Sequence, residues 1–194
     1  MKTTSKEDLR SHCAVNYGVE IFGDRWSLLI IRDIVFVGKK TYGEFLKSEE
    51  GIATNVLASR LAFLEKQGIL SRAPSPDDGR KDFYTLTEKG LDLIPVVLNI
   101  VLWSAKYDSK SYVRRSKKFA ARLSQNPMQV SEEVKALVRD GGCMFPESKE
   151  WARLQARPVT SHERYATERL AYFSKAGARL GRPGDRASSA KKSR

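Results

Sequence analysis

Cysteine and histidine are scarce in this 194-residue chain, with two of each. Cys13 and Cys143 stand 130 positions apart, without a C-x-x-C pair or clustered Cys/His spacing, which excludes a disulfide framework and a structural zinc. His12 and His162 belong to no ligand pattern, and neither a Gly-rich phosphate loop nor a nucleophile elbow is present. Carboxylates such as Asp33 and Glu65 fall in helical stretches where capping and ion pairing explain them. No catalytic residue, metal or cofactor is therefore assigned, and a protein without enzymatic activity is expected. No run of about 18 apolar residues occurs, so no membrane span is expected. The opening MKTTSKEDLRSHC is polar and charged, unlike a secretory signal, and a cytoplasmic location is the expectation.

The first half also lacks net charge. Met1 to Asp108 contains fifteen basic and fifteen acidic residues, whereas Ser109 to Arg194 holds twenty and eight, so the second part carries the whole formal charge of +12. That part dominates any long-range attraction to polyanions. A hydrophobic content of 41% is enough for a core.

The most informative stretch runs from Ile52 to Gly90. Leu57, Leu61 and Leu64 repeat at i, i+4 and i+7, which predicts a helix with one apolar stripe against a domain body. Its opposite face carries Asn55, Ser59, Ala62 and Lys66, mostly short side chains that let a helix axis sink into a major groove. Thr54 is the expected N-cap, leaving the first N–H groups outward where a phosphate could satisfy them. An ordinary surface helix is the alternative reading.

After Gly68, the strand Ile69 to Arg72, the turn Pro74 to Gly79 and the strand Asp82 to Leu86 make a hairpin, with Tyr84 and Leu86 facing inward. Arg80 and Lys81 sit at its tip, beside prolines that hold it outside a sheet. Arginine there can enter a minor groove or clamp a phosphate, or its charge can pair with Asp77 and Asp78 in a solvated turn. Upstream, Thr41 to Lys47 makes a short helix with Tyr42, Phe45 and Leu46 inward. Thr41 and Glu44 form its capping box, and a turn through Gly51 follows. Asp24 to Phe36 is apolar around most of its circumference and is expected to be buried on more than one side.

The stretch from Cys13 through Phe22-Gly23-Asp24-Arg25-Trp26-Ser27-Leu28-Leu29-Ile30, then Tyr42-Gly43-Glu44-Phe45, Gly51-Ile52, Val56 to Leu61, Gly68-Ile69 and Tyr84-Thr85-Leu86-Thr87-Glu88-Lys89-Gly90, resembles the HxlR-type winged-helix transcriptional regulators. The wing segment also resembles the related MarR regulators. The resemblance covers roughly Cys13 to Tyr107 and implies a DNA-binding homodimer without enzymatic activity. It also implies that Cys13 stands where some members sense oxidants or electrophiles. The expected DNA contacts are Thr41, Tyr42, Thr54, Asn55, Ser59, Arg60, Lys66, Arg80 and Lys81. The fold class is mainly α with a small β-hairpin, that is, a winged helix-turn-helix with a helical C-terminal extension.

Three parts are expected: 1–108, a DNA-binding and dimerisation domain; 109–180, a basic helical extension; and 181–194, low in apolar residues and disordered by composition. Thr87 should cap a late helix carrying Leu91, Ile94, Val97, Leu98, Val101, Leu102 and Ala105, kinked or broken at Pro95. Core packing within one subunit would explain this stripe. A small winged helix is already filled by its own helices and hairpin, so the stripe is assigned partly to a twin subunit, with Val19 and Phe22 near the N-terminus and Leu98, Val101 and Leu102 at the seam. In the extension, Ser111 to Leu123 is a basic helix candidate, Ser131 to Asp140 a second, and Thr160 to about Lys175 a third. The basic segment could be a solvated face, an extra phosphate contact or a membrane-surface helix.

Cys13 opens the first helix, where the macrodipole favours a thiolate; a buried small hydrophobe is the alternative, and Cys143 is read as packing. Double-stranded DNA and a second copy are the expected partners, with a small-molecule or redox effector. Two alternatives stay open: an RNA-binding or ribosome-associated basic protein, although surface aromatics for stacking bases are lacking, and a MarR-type ligand-responsive repressor.

Overall fold

Burial of the apolar stripes organises ten helical or strand elements in a computed structural model that describes residues 11–75, 79–109 and 117–145. The turn residues 76–78, the expected helix start at Ser111, the helix from Thr160 and the segment 181–194 lie outside the described residues. Helix α1 spans Ala14–Phe22, and α2 spans Ser27–Arg32 before widening into a π-helical turn, Asp33–Val37. Then come α3 (Tyr42–Phe45), α4 (Thr54–Lys66), β1 (Leu70–Pro74), β2 (Asp82–Leu86), α5 (Glu88–Leu91), α6 (Ile94–Tyr107), α7 (Lys117–Gln125) and α8 (Pro127–Arg139). This is a helix-turn-helix followed by a two-stranded wing.

Asp24 starts α2 without belonging to it. Its carboxylate accepts the N–H groups of Trp26 (2.8 Å) and Ser27 (3.0 Å), two donors that no helical carbonyl could satisfy. Ile30, Ile31, Ile34 and Val35 are then buried, as the all-round apolarity of this run requires. Gly38, at φ +75°, ends it in the left-handed region open to glycine. The capping box of α3 forms as read, with Glu44 accepting the Thr41 N–H at 2.9 Å.

Helix α4 buries Leu57, Leu61 and Leu64. Its cap differs from the expectation: Ala53, extended, is the N-cap and Thr54 is the first helical residue. Ile52 is drawn into the core, so the chain enters the helix one residue earlier and the Ala53 carbonyl accepts the first helical N–H, from Leu57. The end is a Schellman closure, with Ile69 N–H on the Leu64 carbonyl and Gly68 N–H on that of Glu65, both 2.9 Å.

The antiparallel register pairs Leu70 with Leu86, Arg72 with Tyr84 and Pro74 with Asp82. The first strand thus begins one residue later than expected and reaches Pro74, which is tolerated at the outer end of the ladder. Ile69 stays out of the strand because its N–H is committed to the Leu64 carbonyl, while its own carbonyl receives the Thr87 N–H and lies against Gly90. A Cβ on Gly90 would stand 2.2 Å from that oxygen, which explains the glycine closing Leu86-Thr87-Glu88-Lys89-Gly90. Thr87 caps α5 by accepting the Gly90 N–H at 3.1 Å. The late helix breaks before Pro95, which lies in the first turn of α6 where its missing N–H costs nothing.

The segment Glu88–Tyr107 has the length and mean hydropathy (1.3) of a membrane span, although polar residues such as Asp92 and Asn99 interrupt its apolar run. Leu91, Ile94, Val97 and Leu98 within it are buried in the domain core. Leu123, Val130, Val134 and Val138 join that same core, so the apolar interior continues past Asp108, where the charge balance changes. Helix α8 begins at Pro127, four residues before the expected start, and ends at Gly141 in the left-handed region, φ +85°. Lys135 and Arg139 also turn back onto the first part, pairing with Asp92 (3.0 Å) and Glu88 (2.7 Å). Some of the extension's positive charge therefore meets acids of α5 and the α5–α6 link.

Candidate nucleic-acid interface

With three leucines anchored, α4 turns Thr54, Asn55, Ala58, Ser59, Ala62 and Lys66 to the exterior. Small groups and one terminal cation cover this face, which permits close approach of the helix axis to a partner. The exposed Arg80 and Lys81 lie at the far end of the hairpin, where the Ser75 N–H donates to the Lys81 carbonyl at 2.7 Å beyond the ladder. The described residues thus bring an outward helix face and an outward basic tip onto one contiguous helix-hairpin unit.

Other expected contacts have structural work to do. The Tyr42 hydroxyl donates to the Thr54 carbonyl at 2.8 Å, locking α3 to the start of α4, and the Thr41 side chain belongs to its capping box. Arg60 turns from the outer face to Asp24, 3.2 Å away, and its guanidinium lies 5.4 Å from the centre of the Phe63 ring. Burial pushes the Asp24 carboxyl up, but hydrogen bonds from Ser27 and Trp26 and the nearby Arg60 charge outweigh it and hold the group below its ordinary range. Arg60 therefore links α4 to the beginning of α2.

Sequence reading missed the polar support under the turn between α3 and α4. Lys39, fully buried, donates to Asp33 (3.0 Å) and to Ser48 (2.9 Å), and the Ser48 hydroxyl donates to Asp33. Arg32 adds a hydrogen bond to Asp33 (2.9 Å) and pairs with Glu50. The hydrogen bond from Arg32 is the main cause holding the Glu50 carboxyl low. The adjacent Arg32 and Asp33 inside the otherwise apolar run Leu28 to Val37 were the sequence signal for this network.

At the expected seam, Val19 is exposed, while Phe22, Val101 and Leu102 are half-buried. Leu98 is a correction: at 1% exposure it lies in its own subunit's core. Ile94, Val97 and Leu98 point inward, in one cluster with Leu123 of α7 and Val130, Val134 and Val138 of α8, leaving Ile100, Trp103 and Tyr107 outside with Val15 and Tyr17 of α1. The Trp103 and Tyr107 rings lie 5.3 Å apart, and Pro95, Val96, Asn99, Ile100 and Trp103 line a shallow apolar depression of about 450 Å³. Cys13 is exposed at the N-cap of α1. The backbone N–H groups of Asn16 and then Val15 lower its thiol below the ordinary value. Among the described residues, no group of three His, Cys, Asp or Glu side chains could hold a metal ion.

The HxlR-like helix-turn-helix family model matches residues 21–112. The HTH-type transcriptional regulator YdeP of Bacillus subtilis is 32% identical over 98 residues, half of this chain and 76% of that protein. The chain belongs to the HxlR-like helix-turn-helix family. Another relative is the HTH-type transcriptional regulator Rv3095 of Mycobacterium tuberculosis. It is 34% identical over 94 residues, which make up 48% of this chain and 58% of the relative, so this chain spans less than two thirds of that protein. The solved reduced form of the transcriptional regulator YodB from B. subtilis is similar over 51% of this chain and 97% of its own, at 28% identity and a TM-score of 0.42. The HxlR-like match ends before α7, so Lys117 to Phe145 is structure that this family model does not cover.

Proposed function

We propose that this HxlR-like protein is a homodimeric transcriptional regulator of the cytoplasm that reads double-stranded DNA, with α4 in the major groove and the Arg80/Lys81 tip against the flanking backbone or minor groove. The observation that carries this reading is the outward face of α4: Asn55 and Ser59 stand exposed on a helix whose opposite stripe is anchored in the core, and the basic hairpin follows directly. Asn can bond adenine bidentately, and short neighbours let it reach the base edge. Lys66, Arg80 and Lys81 would supply phosphate contacts. Thr54, at the first turn of α4, presents N–H groups toward a phosphate.

A second copy would meet the exposed apolar side chains of α1 and α6, replacing water on Val15, Val19, Ile100 and Trp103. It would place two copies of α4 about one helical turn of DNA apart, roughly 34–36 Å. Cys13, exposed and with a lowered thiol pKa, is the group through which an oxidant or electrophile would act on that N-terminal helix. The test is binding to a selected duplex, the same sequence as a single strand, and a structured RNA at one salt concentration. Preferential duplex binding with sequence discrimination supports the proposal, whereas stronger RNA binding would favour the RNA-binding reading.

A further inference from the structure

Beyond α8 the chain folds back over the end of the π-helical turn. The Met144 N–H donates to the Val35 carbonyl at 2.9 Å and the Phe145 N–H to the Phe36 carbonyl at 2.8 Å. The last carbonyls of a helical segment have no partner within it, so this short strap supplies donors the segment itself cannot. The Phe145 ring meets Phe36 and Phe119 edge-on, at 5.5 and 5.8 Å, and Cys143 is buried beside Val37.

The π-helical turn delivers the chain, through Gly38 and Lys39, to Lys40, which is 5% exposed. Its ammonium donates to the Gly141 carbonyl at the start of the strap (2.8 Å) and lies 5.2 Å from the Phe83 ring centre on the wing. Its backbone N–H donates to Glu44 of α3 (2.7 Å), and its carbonyl accepts the Tyr84 N–H of β2 (2.7 Å). The next residue, Thr41, bridges to Phe83. One residue thus touches the extension, the first helix of the helix-turn-helix and the wing.

We propose that Lys40 is a positioning residue through which the strap 141–145 holds the wing in register with the helix-turn-helix, making the C-terminal extension a working part of the DNA-binding module. Its consequence for affinity rests on the DNA-binding reading above; the geometry does not. Gly141, in the left-handed region at φ +85°, aims its carbonyl at the Lys40 ammonium, and the ring cluster around Phe145 keeps the strap seated. Loosening either end should release the same joint.

The test uses the full-length chain and the variants Lys40→Met, Phe145→Ala and their combination. Hydrogen exchange is read at peptides covering 82–87 and 141–145, with affinity for a selected duplex and global unfolding by urea measured alongside. In folded Lys40→Met, exchange at the Tyr84 amide should rise and duplex affinity fall, each by roughly tenfold, the loss expected for one charge-assisted hydrogen bond. Phe145→Ala should accelerate the same Tyr84 amide although it lies far away in sequence, and the combined variant should add little to either single change. A purely structural role would raise exchange throughout in proportion to lost global stability. Unchanged Tyr84 exchange in Phe145→Ala, or fully additive losses in the combined variant, would overturn the proposal. Should Lys40→Met fail to fold, Phe145→Ala alone decides it. Failure of the wild-type chain to bind any duplex would sink the DNA-binding reading and leave the exchange result to judge the strap.

Discussion

Trp103→Ala is the sharpest perturbation of the proposed dimer. The side chain is 66% exposed in the single subunit, on the face of α6 opposite Leu98. With roughly 200 Å² of burying area on a tryptophan, about 130 Å² is left for a partner. At about 25 cal/mol per Å², that corresponds to about 3 kcal/mol per subunit. A two-fold interface uses the residue twice, so the ceiling on the loss is about 6 kcal/mol, or four powers of ten in the dimer Kd. Since the ring is exposed, the subunit's own stability should change by no more than about 0.5 kcal/mol. Leu98→Ala is the matched control: it opens a cavity in the core and should cost roughly 2–5 kcal/mol of folding stability. Sedimentation velocity over a dilution series measures the first effect and urea unfolding the second. A dimer Kd that moves less than about tenfold in Trp103→Ala, or less than in Leu98→Ala, would refute the assignment of this face of α6 to the seam.

Asn55→Ala should lower discrimination between sequences by roughly 1–3 kcal/mol, whereas Arg80→Ala should weaken all duplexes alike and reduce the salt slope by about one; titrations at several salt concentrations separate the two. Ending the chain at Phe145 removes twelve basic and five acidic residues, those from Pro146 to Arg194. If they face DNA, the salt slope should flatten while the ranking of operators stays the same, and an unaltered slope in a folded dimer would place that charge elsewhere. Cutting at Ser109 would not serve, because it strips Leu123, Val130, Val134 and Val138 from the core. Because the Cys13 thiol pKa is lowered, its thiolate persists to lower pH than that of an ordinary cysteine, and alkylation should follow a pH midpoint below that of a free thiol. Cys143, buried, should react slowly in the folded chain; equal rates at the two thiols would contradict the structure.

Local rules made much of this protein legible in its sequence. The spacing of Leu57, Leu61 and Leu64 set the buried stripe of α4 and so its outward face, because a helix period leaves one choice of side. The Thr41/Glu44 box, the Thr87 cap and the glycine that ends α4 depend on neighbours within four residues, and each formed as read. Tertiary structure decided what distant partners decide. Leu98 moved from the seam to the core because Leu123, Val130, Val134 and Val138 of the extension join its cluster, and Arg60 turned inward because Asp24 lies 36 positions away but 3.2 Å distant. The resemblance ends near Tyr107 and the charge balance changes there too, yet neither reports packing. The apolar stripe of α8 completes the core under α6, and its following strap reaches the π-helical turn about a hundred residues upstream.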